Sequence, residues 1–262
     1  MADSPIEQFE VNKIVDFPDV TIPGVGVIDL AFTNSTLAMT IAFGLVVALM
    51  AIVTAKPAVV PGRLQSIGEM LFGIVDGLTS SLIGHEGRKF FPFVFTLFML
   101  VLGMNVVGLF AGFTATSQLA VTGTLGLLTI ILVIAVGILR HGFGFFLLFW
   151  PSGAPLLLRP VVGLIELVSF LLRPVTLALR LFGNMLGGHV ALKVFAGFVV
   201  ALGGLAAGGG LGLLGIPGAI LALGGVVALT ALEFLVAFLQ AFVFAVLATI
   251  YLNDVVNLGH GH

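Results

Sequence analysis

Long runs without a charged side chain recur along this chain and restrict the folds open to it. Residues 35–55 form such a run of about 20 residues, enough for one α-helix to cross the roughly 30 Å hydrocarbon core of a bilayer. Comparable uncharged runs follow at 90–113 and 119–139, and two longer, mostly apolar runs that contain a few charged residues follow at 160–202 and 217–253. With 60% hydrophobic and 8% charged residues and a mean hydropathy of +1.27, the chain is predicted to be an all-α polytopic membrane protein with about five membrane helices.

The segments between these runs have patterns of their own. Over residues 63–83 apolar side chains recur at helical spacing while Glu69 and Asp76 share the other side, which predicts an interfacial amphipathic helix. The runs 90–113 and 119–139 predict a hairpin, and the apolar stretch 143–150 is too short to cross and is expected at the interface. We therefore expect one membrane domain over residues 34–258.

The last two runs are long enough to constrain how they lie in the membrane. A continuous helix over 160–202 would measure roughly 60 Å against a hydrocarbon core of about 30 Å, so it cannot stand upright. It either breaks, for which Pro174, Gly183, Gly187 and Gly188 offer sites, or lies steeply tilted. The glycine-rich stretch 203–215 joins the two runs, which predicts a long, steeply tilted hairpin.

Basic residues indicate the orientation of the chain. With the N-terminus outside, six of them fall on the cytoplasmic side: Lys56, Arg63, Arg88, Lys89, Arg140 and Arg159. The asymmetry predicts that the N-terminus lies outside and that the C-terminus lies on the cytoplasmic side. Residues 1–33 mix charges with prolines and are expected to be an aqueous, periplasmic segment of little regular structure.

Composition also excludes several kinds of function. The chain has no cysteine, which excludes disulfides, thiolate metal sites and cysteine nucleophiles. Its formal net charge of -2 is concentrated nowhere, so neither nucleic-acid binding nor a polybasic lipid site is expected. No basic segment precedes the first apolar run, which does not resemble a cleaved secretory signal.

Arg180 lies in the middle of the run 160–202, where a charged side chain requires an explanation. A guanidinium does not lose its proton in a protein, so it stays charged at membrane depth. An arginine at the centre of a membrane helix costs about 3 kcal/mol, and such residues usually mark an ion or substrate path. Arg180 is therefore predicted to be functional.

Other polar residues share helical faces with Arg180 or oppose it. Glu166, Arg173 and Arg180 are seven residues apart and drift by only about 20° per step, so they predict one stripe, with Ser169 and Asn184 near it.

On the opposite side of the same helix, His189 lies about half a turn round from Arg180. In the last run Glu233 and Gln240 are also seven apart and face the same way, which makes them the natural counterparts of the first helix.

These residue types favour ion passage along two separated half-paths. A lone carboxylate in hydrocarbon takes up a proton, so Glu233 can act as a proton carrier, and His189 can relay protons near neutral pH. Arg180 can do neither. A fixed positive charge can instead attract a carboxylate that must ionise nearby and block a continuous file of protons.

Each of these residues also has a structural interpretation. Arg180 and Glu233 could form an interhelical ion pair, and His189 and Gln240 could bridge helices by hydrogen bonds. Glu166, like Arg159 and Arg173, could be an interfacial side chain that extends towards water.

A resemblance to a known family rests on the segment Leu177-Ala-Leu-Arg-Leu-Phe-Gly-Asn-Met185. This segment resembles the signature of subunit a of F-type ATP synthases. The match extends to Val60-Pro-Gly-Arg-Leu-Gln65, Met104-Asn105, 166–174 and 232–252, and so covers nearly the whole chain.

The resemblance implies a membrane stator of the Fo sector that lies beside a rotating ring of c subunits. Its partners would be that ring, the b-type peripheral stalk, other ATP synthase subunits and membrane lipid. No cofactor and no metal are implied. The family's arrangement also includes two steeply tilted helices against the ring, in agreement with the tilt expected from helix length.

The resemblance also assigns roles at the centre of the membrane. Arg180 would be the stator arginine that meets each ring carboxylate, keeps it ionised and prevents protons from passing directly between two half-channels. Asn184 and Gln240 match polar residues beside that arginine.

Four further residues match the two half-channels of the family. Glu233 with His189 matches the pair of the outer half-channel, in the arrangement typical of mitochondrial relatives. The resemblance therefore implies either a bacterial inner membrane of the alphaproteobacterial kind, with a periplasmic N-terminus, or an organelle. Glu166 with Ser169 matches the cytoplasmic half-channel.

Two other functions are open to a polytopic chain of this kind. A self-contained secondary transporter would show internal repeats and broken helices in corresponding halves, and neither is present in the sequence. An intramembrane hydrolase would need an HExxH or GxSxG motif, and the sequence has neither. The sequence also has no GxxxxGK[ST] loop, so the chain is expected to be non-catalytic, with ATP bound on partner subunits.

Overall fold

A computed structural model describes residues 11–16, 20–22, 26–28, 31–55, 58–111, 114–149, 158–208 and 215–257. In chain order the helices are α1 (Asn34–Ala55), α2 (Arg63–Ile83), α3 (Gly87–Ala111), α4 (Leu119–His141), α5 (Arg159–Ala207) and α6 (Gly215–Val256). Three 3₁₀ segments, Gly84–Glu86, Ala115–Ser117 and Gly142–Phe149, lie between them. Five helical stretches of this part of the chain are long and apolar enough to cross a membrane, which confirms the predicted all-α polytopic class.

The described part of the N-terminal segment contains regular structure, contrary to the prediction. Four short strands are formed: β1 (Lys13–Asp16), β2 (Val20–Ile22), β3 (Gly26–Ile28) and β4 (Ala31–Thr33). β1 pairs antiparallel with β4, and β2 pairs antiparallel with β3, so the segment folds back on itself before α1. The sequence interpretation gave weight to the prolines and overlooked the β-branched residues of these strands, which favour extended pairing.

The core of the membrane domain lies between α3 and α6. Phe98 of α3 packs edge-on against Phe238 of α6, with ring centroids 6.0 Å apart. On α6 a row of fully buried small residues allows the neighbouring helices to approach: Ala237, Ala241, Ala245 and Ala248. Small residues have this role in membranes, where helices associate by van der Waals packing.

α5 is a continuous helix of 49 residues that runs through Pro174 without interruption. At 1.5 Å per residue it measures roughly 74 Å, more than twice the hydrocarbon thickness, so it must be steeply inclined. The sequence was compatible with either a break or a tilt. Because the helix is unbroken, the tilt is the option that remains. α4 packs closely against α5 at the proline. Gly126 of α4 has no side chain, and a Cβ added there would lie only 2.8 Å from the Pro174 carbonyl oxygen.

The final hairpin is longer than its apolar runs suggested. α5 continues through Gly203 and Gly204 to Ala207, and α6 begins at Gly215, within the stretch expected to be a turn. The ends of the two helices meet, since a Cβ on Gly215 would lie 2.6 Å from the Leu202 carbonyl oxygen. Parts of the predicted segments lie outside the described residues: 112–113 and 150 at the ends of two of them, and 209–214 within the predicted turn.

Candidate functional site

A cavity of about 280 Å³ lies between α5 and α6 and is closed on one side by Leu109 of α3. α5 contributes Asn184 and His189 to its lining, and α6 contributes Glu233. Three predicted residues from two helices therefore meet at one place. The cavity is large enough to hold several water molecules.

Glu233 is the acidic group of this cavity. It is 7% exposed, and neither carboxyl oxygen has a hydrogen-bond partner among the described residues. Gly188 of α5 leaves room for the carboxyl group, because a Cβ there would lie 2.5 Å from Glu233 Oε1. A carboxyl group held beside a cavity with no counter-charge can bind and release a proton.

His189 lies on the buried side of α5, on the opposite face from Arg180, as the spacing predicted. It is 8% exposed, and its Nε2 lies 2.5 Å from Thr114 Oγ1, in the connection between α3 and α4. Both His189 and Glu233 line the cavity, so an imidazole and a carboxyl group share one site.

Arg180 and Asn184 lie one turn apart on the exposed side of α5. Arg180 forms no ion pair or hydrogen bond with any described residue, so the structural ion pair between Arg180 and Glu233 is not formed there. Asn184 Nδ2 donates to Gln240 Oε1 at 2.8 Å, which joins α5 to α6. Gln240 itself is 3% exposed, and its Nε2 has no partner within the described part of the chain.

The remaining predicted residues lie away from this cavity. Glu166 is half-buried and Ser169 is exposed, about four and three helical turns before Arg180. The structure does not bring either residue to Glu233 or His189, which line the cavity.

Arg173 is not simply an interfacial side chain extended towards water. Its Nη1 donates to Asp254 Oδ2 at 2.8 Å, and its guanidinium carbon lies 4.8 Å from the centre of the Tyr251 ring. Asp254 was not among the predicted site residues, although it is the single acidic residue after Glu233 and is a natural partner for a basic residue of α5.

A buried polar cluster on the α3 side of the cavity was not predicted from the sequence. Asn105 is fully buried, donates to the Ala237 carbonyl oxygen at 3.2 Å and accepts from Thr116 at 2.7 Å. Thr114 contacts His189. Asn105 had been noted as part of the family resemblance, but nothing in the periodicity of the chain pointed to the two threonines, which belong to a turn.

Comparisons with known proteins agree with the family resemblance. The family model described as ATP synthase A chain matches residues 36–253. A protein of Hyphomonas neptunium named ATP synthase subunit a is 48% identical over 254 residues, 97% of this chain and 96% of the relative. A protein of Rhizobium rhizogenes with the same name is 49% identical over 263 residues, 100% of both chains.

Proposed function

This chain belongs to the ATP synthase A chain family, and on that premise we propose that it is the proton-conducting stator of the Fo sector, coupled to a rotating c-subunit ring. Family membership makes it a multi-pass membrane component of ATP synthase, involved in ATP synthesis and proton transport, with other ATP synthase subunits as partners. We propose further that the b-type peripheral stalk is one of these partners.

The observation that carries this proposal is the position of Arg180. Its side chain lies on an exposed face of α5, unpaired among the described residues, and neighbouring apolar side chains of the helix, among them Leu172 and Leu179, are exposed as well. Lipid alone would not stabilise such a charge, because placing an arginine in hydrocarbon costs about 3 kcal/mol. A protein surface that presents carboxylates would cover the apolar face and meet the guanidinium, and the ring supplies such a surface.

The geometry supports the following route on the outer side. Protons enter the cavity between α5 and α6, and His189 and Glu233 pass them to a ring carboxylate. Both side chains line the cavity, and both are of types that exchange protons. Once protonated, the ring carboxyl is neutral and can turn into the lipid.

The ring carboxyl releases its proton through the cytoplasmic half-path, for which we propose Glu166 and Ser169. Arg180 then stabilises the ionised carboxylate by charge attraction and keeps protons from passing directly between the half-paths. Asn184 and Gln240 are joined by a hydrogen bond one turn from Arg180 and keep this region polar. Each charge that crosses 100 mV supplies about 2.3 kcal/mol.

We propose a bacterial inner membrane for the complex, with the N-terminus periplasmic and the C-terminus cytoplasmic. We also propose that the chain is non-catalytic, since its sequence lacks a phosphate-binding GxxxxGK[ST] loop and the ATP chemistry would belong to partner subunits.

ATP-driven acidification of inverted membrane vesicles tests the function. Arg180→Ala should abolish acidification while the amount of assembled complex stays unchanged, because ring carboxylates would no longer be held ionised. Arg63→Ala is the matched control, since it also removes one exposed arginine, at the start of α2. Normal acidification by Arg180→Ala would contradict the proposal.

A further inference from the structure

The hydrogen bond between Thr114 and His189 joins two fully or nearly buried side chains from different parts of the chain. Thr114 is 1% exposed and precedes the 3₁₀ turn Ala115–Ser117, whereas His189 belongs to α5. Their side-chain atoms Oγ1 and Nε2 are 2.5 Å apart. Thr114 therefore contacts a ring nitrogen of the one imidazole that lines the cavity.

The position of Thr114 is set by its own surroundings. Its carbonyl oxygen accepts from Ser117 Oγ at 2.6 Å and from the Ser117 backbone N–H at 3.0 Å. Its side chain occupies the space left by the missing side chain of Gly108 on α3, where a Cβ would overlap it. Both the backbone and the side-chain direction of Thr114 are constrained.

The turn itself is tied to α3 directly and, through Asn105 of α3, to α6. Thr116 donates to Asn105 of α3, and Asn105 donates to the Ala237 carbonyl oxygen of α6, one turn from Glu233. All three side chains in this brace, those of Asn105, Thr114 and Thr116, are buried. The brace thus holds Thr114 in a fixed relation to the helix that carries Glu233.

We propose that Thr114 is a positioning residue for His189, which holds the imidazole in one orientation towards Glu233 through the proton-transfer cycle. This proposal rests on the proposed function. A hydroxyl both donates and accepts, so it can donate to an unprotonated Nε2 and accept from a protonated one. The contact can therefore persist while the imidazole gains and loses a proton.

Two ionisable groups among the described residues also lie near His189. Glu233 of α6 shares the cavity and is the proposed proton partner, and Lys193 lies on the next turn of α5 and is exposed. At this end of the molecule the described residues of α3 and α4 carry no titratable side chain. Among the residues of the brace, Thr114 is the one whose side chain contacts the ring.

Two substitutions separate the hydroxyl from the shape of the side chain. Thr114→Val keeps the shape and removes the hydroxyl, whereas Thr114→Ser keeps the hydroxyl. In vesicles with the assembled complex, Val should lower the initial rate of ATP-driven acidification about fivefold, the equivalent of one hydrogen bond. Ser should stay within about twofold of the unaltered protein, because its hydroxyl can still reach Nε2.

A second pair of variants keeps the test decisive if Val prevents assembly. Thr114→Ala removes the hydroxyl without adding a branched side chain, and it is compared with Thr114→Ser in the same assay. Equal rates for Ser and the hydroxyl-free variant would overturn the proposal, because the hydroxyl would then not matter.

Arg180→Ala, measured in parallel, separates this proposal from the proposed function. If Arg180→Ala acidifies normally, the stator function fails. If it abolishes acidification while Thr114→Val and Thr114→Ser remain equal, the stator function stands and only the positioning role of Thr114 fails.

Discussion

Gly188→Ala is a direct test of whether the Glu233 carboxyl group must lie where it does. A Cβ at position 188 would lie 2.5 Å from Glu233 Oε1 and 3.2 Å from Cγ and Cδ. Ordinary contact between such atoms is about 3.5 Å, so the carboxyl group must move by about 1 Å. This movement should cost little, because the neighbouring cavity provides space and displacing a side chain from its preferred rotamer costs about 1 kcal/mol.

The functional loss should be much larger than the loss of stability. Misplacing a reacting group by about 1 Å can cost on the order of 100-fold in rate. We therefore expect Gly188→Ala to assemble in normal amounts and to lower the initial rate of ATP-driven acidification by at least about tenfold. The assay uses inverted vesicles normalised to the amount of complex.

Gly197→Ala is the matched control for this substitution. Gly197 lies on the same helix, and a Cβ there would have no atom within 4 Å. The change in helix propensity is the same for both glycines, at most about 1 kcal/mol. If Gly188→Ala and Gly197→Ala acidify vesicles equally fast, the position of the Glu233 carboxyl does not limit proton transfer and the reasoning is refuted.

Two further predictions concern the support of α5 and its exposed face. Gly126→Ala should destabilise the complex by about 1–3 kcal/mol, because its Cβ would lie 2.8 Å from the Pro174 carbonyl oxygen. Gly123→Ala, whose Cβ would have no atom within 4 Å, should not destabilise it. Melting temperatures of the purified complex measure the difference, and equal values for the two variants would contradict the prediction. The chain has no cysteine, so a single cysteine can be introduced as a cross-linking probe. Thr176→Cys, at an exposed position, should cross-link to a cysteine on the ring, and Leu181→Cys, at a buried position, should not. The reverse pattern would place the ring on another face of α5.

The fold could be predicted largely because its driving pattern is local. Apolar runs of membrane length identified the helices, and the length of the run that contains Arg180 required a tilt. The ends of that run were less predictable. α5 continues through Gly203 and Gly204, where glycine suggested a turn, because close packing with the start of α6 outweighs the weak helix propensity of glycine.

Part of the site also followed from spacing along single helices. The seven-residue interval between Glu233 and Gln240 predicted that both face the same way, and both are buried where α5 and α6 meet. The half-turn between Arg180 and His189 predicted opposite faces, and one is exposed while the other is buried.

Contacts made by turns and by distant partners could not be predicted in this way. Thr114 reaches His189 across 75 positions of sequence, from a connection that has no periodicity. Arg173 pairs with Asp254 across 81 positions, and nothing local distinguishes that arrangement from a side chain extended to water. Such pairs depend on how whole helices pack, which one sequence without its fold does not specify.

Passive proton conduction in vesicles stripped of the soluble ATPase sector tests the role of Arg180 most directly. If its fixed charge separates the two half-paths, Arg180→Ala should conduct protons faster than the unaltered protein down an imposed gradient, although the same vesicles before stripping no longer pump. Arg63→Ala should leave both rates unchanged. Normal pumping by Arg180→Ala, with no added leak, would show that Arg180 is neither the charge that meets the ring nor the barrier between the half-paths.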